Sequence, residues 1–478
     1  MTPTRTYPLL WYTSGTPITI GQRDCAMERY LGTHAGVHGT GYRRIATAVP
    51  LATGSAVHDG VQLIGEWILE WQAAHPHRRL LNVPDEVTAW AASEAASKYD
   101  HKARARGLAL TKTDTDAAAA IDHLILEQRT LTEALIWIYA LGRLPVLLSS
   151  YRLLFVEHEE TPVLDCTCGL GDWVGQAEAH AARGCTGIVA QDRADVIWEH
   201  AEHGGLVYEQ IKTKASERKS WEDAWEHSGQ LLLGMEAVSK RIGKDVSEAF
   251  VPVLFKGWRG RDRNAPETEP KYQHTPLVYG YFNPGGLNQD PEWSARYKWF
   301  DDYGKGHTLG STYKRTPIWI DEIPFGTAGN NPNGWPGREG ASRVEQWVKG
   351  YVLPIQLVDF LKTLGPFQRQ RGRVPDAQAA ILAEERLWRE RVEYLRSVNA
   401  FDHTHAEVIN LIPRSWNCTH YDGTPCQFKP VCMKDPGWEN IEAMGRYEIR
   451  TPHHLPEQRA YETEGLVFPE QDDEESDE

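Results

Sequence analysis

Cysteine placement constrains this chain more than any other feature. Cys25 stands near the N-terminus, in Gly-Gln-Arg-Asp-Cys-Ala-Met-Glu-Arg-Tyr, while Cys418, Cys426 and Cys432 close the globular part with C-x7-C-x5-C spacing. One early thiol and a late group of three suggest a metal cluster that ties the two ends together. A cubane iron–sulfur cluster needs four thiolates converging on one point, and sequence separation is no obstacle if the fold supplies convergence. The spacing differs from the usual ferredoxin runs, so the argument turns on what the cysteines enclose. Seven cysteines is an odd number for a chain that lacks a basic-then-apolar leader. Metal binding or free thiols therefore outrank a disulfide framework.

At 478 residues, 41% hydrophobic and with 18 Trp, the chain can build substantial cores. It shows neither a signal peptide nor an apolar run of the roughly 18 residues that a membrane span needs. A cytoplasmic location without membrane contact is the expectation. The net charge of −15 argues against simple coating of nucleic acid, although six of the acidic residues lie in the tail Asp472–Glu478. An acidic protein can still hold DNA if its basic groups line a groove. The basic runs at 101–106, 240–244, 259–263 and 369–373 serve equally well as solvated faces.

Helical spacing of Val57, Val61, Ile64, Ile68 and Trp71 predicts a helix from Ser55 to Trp71, after a short helix around Cys25 and a loop over 32–50. Residues 84–145 read as a helical insertion. Strands are expected at Tyr151–Glu157, Gly187–Trp198, Gly205–Thr213 and Ala249–Trp258, with Gly204-Gly205 turning the second into the third. Ser220 is the expected cap of a helix running to Arg241. Further strands are expected at Leu277–Phe282 and Pro317–Ile320, and helices at Arg343–Leu364 and Pro375–Val398. The implied division is 1–83 (N-terminal helices), 84–145 (helical insertion), 146–260 (core), 261–345 (irregular insertion), 346–433 (C-terminal helices and cysteines) and 434–478 (extension with an acidic, disordered tail).

Four stretches hold the candidate site residues. In Gly54-Ser-Ala-Val-His58 the histidine lies one helical turn after the glycine. Gly187-Ile-Val-Ala-Gln-Asp-Arg-Ala-Asp195 is an apolar strand ending in a carboxylate, with Asp192 as competitor. In Tyr208-Glu209-Gln210-Ile-Lys212-Thr213 alternation puts Gln210 on the lysine's face and Glu209 on the other. Gln230 follows on the next helix.

This order resembles the PD-(D/E)XK nucleases, in particular RecB-type exonucleases with an iron–sulfur cluster, such as AddB and the CRISPR adaptation nucleases. The resemblance covers roughly 1–71, 151–258 and 410–433. It implies an α/β restriction-endonuclease-like core, a mixed central sheet flanked by helices, with a helical insertion and an iron–sulfur staple. It also implies metal-dependent cleavage of DNA, single- or double-stranded. By this resemblance His58, Asp195 and Gln210 are ligands of Mg²⁺ or Mn²⁺, Lys212 and Gln230 are the catalytic side chains, and Cys25, Cys418, Cys426 and Cys432 hold a 4Fe-4S cluster. Gln210 departs from the family's carboxylate, which leaves open a catalytically inactive nucleic-acid-binding protein of the same fold. A metal-cluster structural protein is the further alternative. No P-loop motif is present, so any helicase or recombination partner is a separate chain.

Cys166, Cys168, His180 and Cys185 offer three thiols and one imidazole in the segment between the first two core strands. That is a possible Zn²⁺ donor set, although the C-x-C spacing is tighter than the usual zinc pattern and free buried thiols are the competing reading. Glu157 is an extra site candidate, with a solvent-facing carboxylate as its alternative.

Overall fold

The computed structural model describes residues 10–14, 25–32, 39–44, 49–110, 115–214, 225–226, 228–256, 259–260, 273–274, 360–400, 402–412, 426–444 and 447–449. Along the chain these form β1 (Trp11–Ser14), α1 (Ala26–Gly32), β2 (Tyr42–Arg44), α2 (Val49–Ala74), α3 (Asp85–Leu110), α4 (Thr115–Gly142) and α5 (Leu144–Leu148). Next come β3 (Tyr151–Glu160), α6 (Ala177–Ala181), β4 (Ile188–His200), β5 (Leu206–Glu209), β6 (Lys212–Lys214), α7 (Gly229–Ile242) and β7 (Val246–Phe255). The two-residue strands β8 (Arg259–Gly260) and β9 (Gln273–His274) pair with each other. The remainder is β10 (Leu361–Gln368), α8 (Val374–Ser397), α9 (Ala406–Leu411), α10 (Lys429–Cys432) and β11 (Tyr447–Ile449).

A mixed seven-stranded sheet runs β1-β4-β5-β7-β10, with β3 also on β4 and β6 also on β7. This is an α/β architecture with helices packed on the sheet. Its main core joins Val57, Val61, Ile64 and Ile68 of α2, Ala91 and Ala95 of α3, and Leu135 to Ala140 of α4. The same cluster takes in Val196 to Trp198 of β4, Val251 to Phe255 of β7, and Leu231 and Met235 of α7. The helical insertion expected over 84–145 thus shares one apolar core with the sheet. Its most apolar stretch, Leu131–Leu148, is long enough to cross a membrane by composition, yet 78% of it is buried inside the fold. Burial in a protein core accounts for that hydropathy.

Glu209 explains how β5 is anchored. Its carboxylate points into the helical layer and accepts hydrogen bonds from Arg143 Nε at 2.7 Å, Trp198 Nε1 at 2.9 Å and Tyr139 Oη at 3.1 Å. A fully buried carboxylate is tolerable only when its lone pairs are met in this way.

A second core brings the chain ends together. Trp11, Met27, Tyr30 and Leu31 meet Trp388, Val392 and Leu395 of α8, together with Phe428, Val431 and Tyr447. At its centre Arg29 donates to the buried Glu385 at 2.6 Å, Trp11 Nε1 donates to the same carboxylate at 2.9 Å, and the Arg29 guanidinium lies 4.4 Å from the Trp388 ring centroid.

Two expectations need correction. The stretch 32–50 is not all loop, because β2 pairs antiparallel with β11. The helix expected to run to Leu364 is replaced at its end by β10, whose Leu361–Leu364 pairs with Leu254–Val251. An open sheet edge at β7 offers main-chain partners that local helix propensity cannot outweigh. Of the helix expected over Ser220–Arg241, the described parts are helical at 225–226 and over Gly229–Ile242, with Ser228 at the cap position of the latter. Ser220, the strands expected at 277–282 and 317–320, Cys418 and the acidic tail lie outside the described residues.

Candidate metal centres

The site begins with an interruption in strand pairing. On one edge of β4, β3 pairs along 192–200 and the Val163–Val189 bridge continues that register. On the other edge β1 pairs with 188–191 and β5 with 196–199. Residues 192–195 therefore face a gap between β1 and β5, and both Asp192 and Asp195 sit in it, 8% and 3% exposed. Across the gap the chain passes from β5 to β6 without slipping, since Glu209 pairs with Phe250 and Lys212 with Val253 at a constant offset. At the interruption the Ile211 N–H donates to the Asp195 carboxylate.

Helix α2 delivers His58 to the gap. Its Nδ1 lies 3.2 Å from Asp195 Oδ1 and 3.4 Å from Glu157 Oε1. One turn earlier the helix passes so near β6 that a Cβ at Gly54 would stand 3.0 Å from Thr213 Oγ1. Glu157 lies between the Val156–Val196 and His158–Ala194 pairs, hence across from Asp195. Its φ is +47°, a left-handed conformation that is costly for a residue with a side chain. That twist turns the carboxylate toward His58, while Arg193 Nε holds its other oxygen at 2.9 Å. Glu157 therefore faces the candidate centre, and its carboxylate is not solvent-facing. Ladder position across from Asp195 was readable from the strand pattern, but the twist was not.

Donor atoms of His58, Glu157 and Asp195 all lie within 4.8 Å of one another. Two carboxylates and an imidazole form a hard donor set suited to Mg²⁺ or Mn²⁺. Burial opposes charge on His58, but Asp195 and Glu157 outweigh it and raise the imidazole to about 9. Burial likewise opposes ionisation of Asp195, yet His58, Lys212 and the Ile211 N–H keep its carboxyl below the ordinary range. Lys212 is close enough to be felt by both aspartates, and its Nζ lies 5.6 Å from the Trp225 ring centroid.

Gln210 is buried beside this centre, where its Oε1 accepts from Tyr208 Oη at 3.0 Å. The same hydroxyl lies 2.8 Å from Asp192 Oδ2. Burial raises the Asp192 carboxyl to about 7, with the Asp195 charge adding to the effect. Gln230 lies one turn before Gly234 on α7, and Gly234 packs directly on Tyr208 and Asp192.

Between β3 and β4 lies a second centre. Cys166, Cys168, His180 and Cys185 bring their donor atoms within 4.8 Å of one another, a group that can hold a metal ion. Cys166 and Cys168 Sγ are 3.5 Å apart, and Cys168 Sγ lies 3.4 Å from His180 Nδ1. The other imidazole nitrogen is 2.6 Å from the Val174 carbonyl oxygen, a contact of the kind that orients metal-bound histidines. Burial opposes a thiolate at Cys185, but the N–H and O–H of Thr167 and the imidazole of His180 bring it down to about 6.

Of the cysteines at the chain ends, Cys25, Cys426 and Cys432 all pack on the second core. Burial and the Glu28 carboxylate push the Cys426 thiol well above its ordinary value, and the charge of Cys432 reaches it. All three thus lie against the same core, and Cys418, the fourth ligand expected, is outside the described residues. No protein-family model matches this chain, and a search of curated proteins finds no match.

Proposed function

We propose that this chain is a divalent-cation-dependent nuclease of the PD-(D/E)XK type that hydrolyses phosphodiester bonds of DNA. The observation that carries the reading is the meeting of His58 from α2, Glu157 from β3 and Asp195 from β4 at a gap in the sheet, with Lys212 beside them. When bound there, Mg²⁺ or Mn²⁺ supplies Lewis-acid polarisation of the phosphate and a more acidic water. The Lys212 ammonium stabilises the negative charge that builds on the phosphate during attack. Gln210 and Gln230 position the site from the α7 side of the sheet.

The end-joining cysteines Cys25, Cys418, Cys426 and Cys432 hold a 4Fe-4S cluster in this reading, and the cluster acts structurally. Cys166, Cys168, His180 and Cys185 hold zinc. Tetrahedral Zn–S bonds of about 2.3 Å put neighbouring donors roughly 3.8 Å apart, close to the 3.5 Å and 3.4 Å separations of this group. A four-iron cubane spreads its thiolates over four metal atoms and needs a wider set. The protein works in the cytoplasm, alongside a separate helicase or recombination protein.

Incubation of the purified protein with linear single- and double-stranded DNA tests the activity. Degradation that needs Mg²⁺ or Mn²⁺ and stops on chelation supports the reading; intact DNA under every cation condition refutes it.

A further inference from the structure

The Cys166–Cys185 loop is inserted into the hairpin that carries the hard-metal carboxylates, Glu157 on β3 and Asp195 on β4. Its two ends are clamped at the base. Leu164 N donates to Ile188 O at 2.8 Å, Ile188 N to Asp165 Oδ1 at 2.5 Å, and Ala190 N to Pro162 O at 3.0 Å. From the donor group a line of side chains runs back toward the cleft. His180 sits on the single-turn helix α6, which Gln176 precedes. Gln176 Oε1 accepts from Thr161 N at 2.7 Å and Thr161 Oγ1 at 2.6 Å, and Ala177 N donates to Thr161 Oγ1 at 3.1 Å.

Gln176 Nε2 also donates to the buried Glu160, whose Oε1 lies 2.6 Å from His158 Nε2. His158 in turn stacks on Phe155 at 4.4 Å between ring centroids, so the pair brackets Glu157. Glu160 is the ladder partner of Asp192. Hydrogen bonds and a ring contact thus run from Gln176 to His158, the chain neighbour of the twisted residue. The strained conformation of Glu157 persists only if its surroundings hold it.

We propose that zinc in the Cys166–Cys168–His180–Cys185 loop is a positioning device for the second centre: the loaded loop, acting through Gln176, Glu160 and His158, holds Glu157 where it can share a divalent cation with His58 and Asp195. This rests on the zinc reading above. Outer partners of metal ligands commonly govern affinity by about 10–100-fold, so loss of the strap weakens Mn²⁺ binding by about tenfold or more. Zinc and Mn²⁺ do not compete for the same donors, since soft thiolates select the former and carboxylates the latter.

The test uses the full chain and reads zinc by elemental analysis and Mn²⁺ affinity by the electron paramagnetic resonance of free Mn²⁺, without reference to cleavage. Wild type should carry one zinc; its absence overturns the zinc reading and this proposal with it. Zinc is then removed from wild type with a thiol reagent and a chelator, and later returned. The expected result is weakened Mn²⁺ binding that recovers with zinc. Gln176→Leu provides the sharper arm, because it keeps all four zinc donors and cuts the link to Glu160. Zinc retained with Mn²⁺ affinity about tenfold weaker supports the strap. Unchanged Mn²⁺ affinity in both zinc-stripped wild type and Gln176→Leu overturns the strap while leaving the zinc site standing.

Discussion

The backbone N–H of Ile211 donates to the side-chain carboxylate of Asp195. That one bond ties the lysine-bearing strand to the candidate metal ligand at the place where β5 gives way to β6. It also shows why a sheet is a good scaffold for such a site: a local break in pairing exposes main-chain donors that can orient a carboxylate without any further side chain.

Glu209 and Gln210 separate stability from activity. Arg143→Ala leaves the Glu209 carboxylate buried without its cationic partner, and removing one member of a buried pair costs about 3–5 kcal/mol. Urea unfolding should show that loss. Gln210→Ala, which removes a buried but neutral group, should cost less in unfolding than Arg143→Ala and lose cation-dependent function. A stable Arg143→Ala variant would mean that the Glu209 cluster is not closed to water.

Gly234 has no room for a methyl group. A Cβ there would meet Asp192 Oδ2 and stand 2.6 Å from Tyr208 Oη. Gly234→Ala should therefore shift Tyr208 and cost about 1–3 kcal/mol by overpacking. Thermal unfolding checks the direction, and a gain in stability would contradict the packing described.

The sequence pattern made much of this legible, and the reason is periodicity. Helical spacing located α8 within one residue at each end and the body of α2 but not its first turns, and alternation along Tyr208–Lys212 placed Glu209 and Gln210 on opposite faces, as the hydrogen bonds of Glu209 show. His58 and Asp195, read from separate motifs, meet at 3.2 Å. What periodicity could not give was the positive φ of Glu157, a tertiary strain with no residue-type signal in Glu157-His-Glu-Glu. Nor could spacing rules show that Cys166 and Cys168 converge with His180, because the intervening turn sets that distance. The start of β10, Leu361–Leu364, was misread as helix because its pairing partner, β7, lies about a hundred residues earlier in the chain.

The pH dependence of stability in the cation-free protein follows from His58. Its imidazole is raised from 6.5 to about 9, so the imidazolium between Asp195 and Glu157 adds stability that is complete below pH 6.5 and lost as pH rises through about 9. With a chelator present, the melting temperature of wild type should fall across that window. His58→Ala should lack this component of the fall, and identical profiles for the two proteins would contradict the His58–Asp195–Glu157 arrangement.

Iron content distinguishes the two thiol groups. Cys25→Ala should lose the brown chromophore and melt at a lower temperature, because a link between Cys25 and the C-terminal cysteines restrains a very long loop in the unfolded chain. Cys166→Ala should keep the chromophore. Iron lost on mutating Cys166 but kept on mutating Cys25 would move the cluster to the β3–β4 loop.

Cleavage of labelled linear DNA by wild type and by Asp195→Asn, across a Mn²⁺ titration, tests the central claim most directly. Asn is nearly isosteric with Asp but carries no charge, so it keeps the shape of the gap while removing a ligand charge. The account predicts Mn²⁺-dependent degradation by wild type, and for Asp195→Asn, assayed while folded, no more cleavage than chelated wild type shows. Undiminished cleavage by Asp195→Asn would contradict it.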